Sequence, residues 1–251
     1  MVNDIRIHLA IIMYMGGCLS LMIYNAIVIF HKKNTDKAMQ KNKNKWIIVI
    51  FREFHASSSM TTLSQKHKNR LARSLKHVEK LIAFSNALNF FKLKHGTDFY
   101  EKYMAMLMQC GVFHRLAVAY KRKKNEERAY FAYFVSQHPQ IAKTTKGICT
   151  NTIDTMVSYI EASDIYCRVN VLKALCMVGD LHGITSVLQF FSDKDNFIHH
   201  KLLAEDLFNF TGDKDVLAQH LWGKYKEWND NIRLGVITFI SMFSSKFEAR
   251  M

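Results

Sequence analysis

One proline, Pro139, and ten glycines are the only strong backbone breakers in this chain of 251 residues. So few turn formers exclude a turn-rich β-sandwich or barrel, and the abundant Leu, Ile, Lys, Ala and Met favour helices instead. No Gly-rich phosphate loop, H-E-x-x-H or G-x-S-x-G occurs. The sequence therefore carries no motif for nucleotide binding, zinc-assisted hydrolysis or an esterase-like nucleophile. Five cysteines, Cys18, Cys110, Cys149, Cys167 and Cys176, are odd in number and share no short metal-ligand spacing. Buried thiols in a reduced compartment account for them better than a disulfide framework does.

A more local absence marks the N-terminus: the 22 residues from Leu9 to Phe30, LAIIMYMGGCLSLMIYNAIVIF, contain no Asp, Glu, Lys, Arg or Pro. A helix needs about 20 such residues to cross the hydrocarbon core of a bilayer. A cleavable signal peptide would have a shorter apolar region of roughly 7–15 residues, with basic residues before it. Here Arg6 alone precedes the run, whereas Lys32, Lys33, Lys37, Lys41, Lys43 and Lys45 follow it closely. The positive-inside bias then places the N-terminus outside and the rest of the chain on the cytoplasmic side. A buried core helix of a soluble protein is the competing explanation, and the length of the run weighs against it. Within the run, Gly16, Gly17 and Ser20 are small enough to admit a second helix, and Asn25 calls for a hydrogen-bond partner in lipid; these four are the candidate helix-packing residues.

The net charge of +14 is unevenly spread. Residues 31–95 hold fifteen Lys and Arg against three acids, whereas residues 151–251 hold ten against thirteen. The basicity is thus juxtamembrane, and nucleic acid is a poor fit for the acidic C-terminal part. The six lysines from Lys32 to Lys45 are candidate contacts to anionic head groups, although a solvated basic face that only enforces topology explains them as well. Residues 34–45 read as a polar tether or the start of a helix. The short apolar run Trp46 to Phe51 reads as an interfacial segment or, preferably, as the first piece of a soluble core. A loop is expected from His55, with Ser64 as a helix N-cap. Leu71, Leu75, Val78 and Ile82 then fall on one helical face. Further helices are expected over about 98–109, 112–123 and 126–137, the last ending at Pro139.

The last hundred residues repeat themselves. Cys167 to Asp180, CRVNVLKALCMVGD, aligns with His200 to Asp213, HKLLAEDLFNFTGD, at an offset of 33 residues. Arg168 falls against Lys201, Val171 against Ala204, Leu175 against Phe208, and Gly179-Asp180 against Gly212-Asp213; Leu172 against Glu205 is a mismatch. A third copy from Ile232, at an offset of 32, supplies Arg233 at the basic position and lacks the Gly-Asp. The pair has a mechanical meaning, with Gly ending one helix in the left-handed C′ conformation and Asp capping the next. Second helices follow over 181–191 and 215–228, with acidic, Asn-rich turns at 192–196 and 229–231. An earlier unit is expected to pair 126–137 with 151–161.

At these positions the chain resembles the HEAT-repeat family: a turn with Asp, a basic residue opening the first helix, apolar positions behind it, then Gly-Asp before the second. The resemblance covers about residues 125–251 and implies an α-solenoid, a fold that docks proteins along an extended surface. The repeating Trp, Gly, Tyr and Pro positions of the tetratricopeptide class do not recur. The expected protein is all-α: a single transmembrane anchor at 1–31, a basic juxtamembrane segment and linker at 32–63, and HEAT-like hairpins over 64–251. The repeat-defining residues are Arg168, Gly179, Asp180, Lys201, Gly212, Asp213 and Arg233.

Cys110 and His114 are four apart but separated by Gly111, and His199, His200 and His220 lack the fixed spacing and carboxylate partners of a metal site. No catalytic residue, cofactor or metal is assigned. The expected function is a non-enzymatic, membrane-anchored adaptor on the cytoplasmic face that binds a partner protein, with a membrane-embedded synthase or transporter a natural choice. The alternatives are a HEAT-like enzyme of lyase or DNA glycosylase type, and a sensor of anionic lipid surfaces.

Overall fold

The computed structural model describes residues 2–56, 62–94, 96–142, 150–193 and 196–244. Of the loop expected from His55 to Ser64, residues 57–61 lie outside the described residues, as do Cys149 and Lys194 with Asp195, while His55 and Ala56 are still helical. Among the described residues every regular element is helical. The chain opens with α1 (Val2–Ala56), α2 (Gln65–Ser74), α3 (Val78–Lys94), α4 (Gly96–Met108), α5 (Val112–Lys121) and α6 (Asn125–Gln137). It continues with α7 (Thr150–Val157), α8 (Ile165–Val178), α9 (Leu181–Ser192), α10 (His200–Phe208), α11 (Lys214–Gly223) and α12 (Asp230–Ser244). Short 3-10 turns at Pro139–Ile141, Ile160–Ala162 and Tyr225–Glu227 finish the segments before α7, α8 and α12.

α1 is 55 residues long, so of the two readings of residues 34–45 the helix holds, and the linker expected from residue 32 is helical up to Ala56. No Gly or Pro occurs between Cys18 and Ala56 to interrupt it. Its two halves meet different surroundings. From Ile11 to Ala38 every side chain is exposed, whereas Trp46 and Ile50 are buried in the helical body. Trp46 meets Phe84 of α3 edge to face, with ring centroids 5.0 Å apart. Burying two such side chains, at about 1.5–3 kcal/mol each, fixes α1 to the body.

Ser64 caps α2 as expected, accepting from the His67 N–H at 3.2 Å. The face formed by Leu71, Leu75, Val78 and Ile82 does not lie on one helix. The chain turns between α2 and α3, which leaves Leu71 and Leu75 buried but Val78 and Ile82 only half-buried, with Leu81 taking the core position.

Beyond α4 the helices fall into two sets. α6, α8, α10 and α12 pack one on the next, most closely in the pairs α6 with α8 and α10 with α12. α5, α7 and α9 pack similarly among themselves, and α8 with α9 and α11 with α12 join the sets. Buried tyrosines tie the second set together and join it to α2: the Tyr159 hydroxyl, just past α7, donates to the Ala117 carbonyl of α5 at 2.6 Å, and the Tyr120 hydroxyl of α5 donates to the Leu75 carbonyl at the end of α2 at 2.8 Å. α6 and α7 do not form the close pair expected of an early unit; α7 lies on α5 and α9, while α6 lies on α8. The α8–α9 hairpin is present, but α11 leans on α12 more than on α10.

Candidate functional site

The repeat-defining residues sit where one helical unit meets the next. Gly179 ends α8 with φ +86°, a left-handed conformation that favours glycine. Asp180 then caps α9, accepting from the Gly183 N–H at 2.9 Å. In the second copy Asp213 caps α11, accepting from the N–H groups of Asp215 and Val216 at 2.9 and 3.3 Å. Gly212 departs from the expected role. α10 already ends at Phe208, and Gly212 does not have a positive φ. Close approach fixes it instead, since a Cβ there would lie 2.5 Å from Cε1 of Phe210. The two junctions also touch, because a Cβ on Gly179 would lie 3.6 Å from the Gly212 nitrogen.

The basic position has a bracing role in two of its three copies. Arg168 Nε donates to the Ile160 carbonyl at 3.1 Å, and Arg233 Nε donates to that of Tyr225 at 3.1 Å, eight residues upstream in both cases. Each guanidinium also lies over an aromatic ring, Phe190 at 4.8 Å and Tyr225 at 5.6 Å. Lys201 is exposed and makes no such brace. Its ammonium lacks the planar fork that lets arginine meet a carbonyl and a ring together.

Three further residues lock the units together, and composition does not reveal that role. Thr211 donates its hydroxyl to the Met177 carbonyl at 2.9 Å and its N–H to that of Cys176 at 3.1 Å. Asn229 Nδ2 donates to the carbonyls of Phe191 and Ser192, at 3.2 and 3.0 Å, while its Oδ1 caps α12 by accepting from the Ile232 N–H at 3.0 Å. Asn231 Nδ2 donates to the Ile198 carbonyl. The Asn-rich turn signals only a turn in the sequence; the clamps are made to segments 33–38 residues away.

In α1, Ser20 donates its hydroxyl to the Gly17 carbonyl at 2.8 Å, and a Cβ on Gly16 or Gly17 would meet nothing within 4 Å. Gly16 and Ser20, four apart, share one exposed face. Asn25 lies about 140° round the helix from Ser20 at 100° per residue and does not join it. Lys32, Lys33, Lys37, Lys41 and Lys45 are exposed, whereas Lys43 is half-buried with its ammonium 5.6 Å from the Phe90 ring centre.

The Cys110 and His114 positions are separated by Gly111, whose φ of +62° divides α4 from α5. The Cys110 thiol donates to the Leu107 carbonyl at 2.9 Å, and burial pushes its pKa up. His199 and His200 stack at 4.5 Å, while His220 Nε2 hydrogen-bonds Thr185 Oγ1 at 2.8 Å. Among the described residues, no three His, Cys, Asp or Glu side chains gather as metal ligands. A polar pair and a polar triad sit within the core. His67 Nε2 and the Tyr103 hydroxyl are 2.8 Å apart, and His138 hydrogen-bonds Tyr100 at 2.8 Å and Ser85 at 3.1 Å. Single His and Tyr residues in helical stretches carry no sequence signal of such pairing.

Exposed apolar side chains are found in two settings. They run along the apolar half of α1, the helix among the described residues that is long and apolar enough to cross a membrane. Exposed apolar side chains also occur on α6, α8, α10 and α12: Tyr133, Tyr166, Leu202, and Leu234 with Ile237. Comparison with models of known protein families, with curated proteins and with solved structures finds no match to this chain.

Proposed function

We propose that this protein is a non-enzymatic, membrane-anchored scaffold: Leu9–Phe30 spans the bilayer with the N-terminus outside, and a HEAT-like α-solenoid on the cytoplasmic face holds a partner protein. The observation that carries this reading is α1 itself, one helix whose apolar half is exposed throughout from Ile11 to Phe30 and whose other half is fixed in the body by Trp46 and Ile50. A soluble protein rarely leaves so large an apolar surface open. The solenoid part is supported by the 33-residue offset, the paired Gly-Asp junctions and the succession α6, α8, α10, α12. The exposed Tyr133, Tyr166, Leu202, Leu234 and Ile237, one or two on each of α6, α8, α10 and α12, are the apolar side chains offered to the partner. An integral membrane protein is the natural partner, since Gly16 and Ser20 leave room for a second helix.

Membrane fractionation and capture in mild detergent test this reading. The full-length chain is expected to stay in the membrane pellet after alkaline extraction, and deletion of residues 1–31 is expected to release it. Capture is expected to bring down an integral membrane protein stoichiometrically. Release of the full-length chain by alkali would remove the anchor, and recovery only as a free monomer would remove the scaffold.

A further inference from the structure

The direction of the first three helices locates the part of the body nearest the apolar run. The Ser64 N–H, at the start of α2, donates to Glu53 Oε1 of α1 at 2.7 Å, while the Arg70 guanidinium lies 5.9 Å from the Trp46 ring centre. Advancing along α2 therefore means moving back along α1, so α2 runs toward the apolar half. α3 returns in the opposite sense. Glu79 lines a groove of about 470 Å³ with residues from Ile27 to Asn42, Phe84 packs on Trp46, and Phe91 and Phe54 both lie against Phe99. The turn between α2 and α3 is thus at the level of about Met39 to Asn42, roughly 14–18 Å along the helix beyond Phe30.

That turn is strongly basic. Arg73, Lys76 and Lys80 are exposed around it, as are Lys32, Lys33 and Lys37 on the stretch of α1 leading to it; Asp36 and Glu79 are the acids among them, and His77 is exposed in the turn. The head-group layer is about 5–7 Å deep on each side of the hydrocarbon. The remaining gap, shortened by an extended lysine side chain, is comparable to the Debye length of about 8–10 Å. Leu75 is buried and Val78 half-buried, so the turn offers charge without the exposed apolar anchor that a protein epitope generally uses.

We propose that the α2–α3 turn is a second membrane contact, in which Arg73, Lys76 and Lys80 dock on anionic lipid head groups beside Lys32, Lys33 and Lys37. This rests on the reading that Leu9–Phe30 spans the bilayer. The turn holds the body against the cytoplasmic leaflet, and each cation near the surface is worth about fivefold in affinity. The full-length protein is reconstituted into phosphatidylcholine vesicles with and without phosphatidylserine, and amide hydrogen exchange is followed at 9–30 and 74–80. The expected result is exchange at the turn slowed at least about tenfold by phosphatidylserine. High salt reverses that slowing in the wild type, and the triple variant Arg73→Gln, Lys76→Gln, Lys80→Gln does not show it, with 9–30 protected throughout. Equal exchange at the turn in both vesicles, with 9–30 protected, overturns the contact and leaves the anchor standing. Unprotected 9–30 overturns both. Protection of the turn in native membranes but not in phosphatidylserine vesicles assigns it to a protein and also overturns the proposal.

Discussion

Asp206 places a carboxyl inside α10 where it is 7% exposed and its Oδ2 finds no hydrogen-bond partner. Burial, reinforced by the charge of Glu205 and opposed by that of Lys173 on α8, raises its pKa from 3.8 to about 7. Between those values the folded chain holds a proton that the unfolded chain has released, so folding stability falls as pH rises through this window. His138 works in the opposite sense. Burial, aided by Lys92, lowers its pKa from 6.5 to about 4, so the stability it contributes is lost as pH falls through that range. A stability profile of the wild type alone would mix the two. Comparison of denaturant unfolding for the wild type and Asp206→Asn, at pH values from about 4 to 8, isolates the carboxyl. The variant is expected to gain on the order of 3 kcal/mol relative to the wild type across that range. Parallel profiles would show that Asp206 is charged in the folded protein. Nothing in the sequence marks Asp206, because Glu205 beside it is equally acidic and only the packing of α10 on α8 decides which of the two is buried.

At the scale of helices and turns, the units are held as much by a few side-chain clamps as by apolar packing. Asn229 makes two hydrogen bonds to the end of α9 and one cap to α12. Its replacement by Ala removes all three and is expected to cost about 2–3 kcal/mol in equilibrium unfolding. Asp230 next to it carries a side chain that is 97% exposed in its ion pair with Arg233, and Asp230→Ala is expected to cost less than about 1 kcal/mol. Similar losses for the two would show that the clamp has no special weight. This contrast also marks how far the elements were legible. Helix ends with local chemical causes, such as Ser64, Gly179, Asp180, Asp213 and Pro139, follow from the sequence because cap and breaker act within one turn. Gly212 departs from the helix-ending role that the 33-residue alignment implies, because its constraint is the ring of Phe210 packed against it, a contact the alignment does not encode. The break between α2 and α3 was hidden because Leu71, Leu75, Val78 and Ile82 keep helical spacing across it.

Over the whole molecule, the property that matters most is that the apolar run and the folded body share one helix. Residues 34–45 have no apolar periodicity, so their sequence is compatible with a polar tether as well as with the start of a helix; a helix already nucleated on both sides propagates through such a stretch at little cost. The consequence is mechanical. Trp46 lies about 24 Å along the axis from Phe30, and a continuous helix holds the body at that separation and in one rotational setting. A proline at Ala38, which is exposed in the middle of this span, would remove a backbone hydrogen bond and kink the helix at a cost of about 3 kcal/mol. Ala38 is not part of the core, so the body should keep its own unfolding midpoint in Ala38→Pro. What should change is geometry. Pulsed electron resonance between non-cysteine spin labels at Met22 and Tyr133, both exposed, is expected to give one narrow distance distribution in the wild type and a shifted or broadened one in the variant. Identical narrow distributions would mean that contacts other than α1 set the position of the body. A broad distribution already in the wild type would mean that α1 bends between Phe30 and Trp46, and that the apolar run and the body move independently.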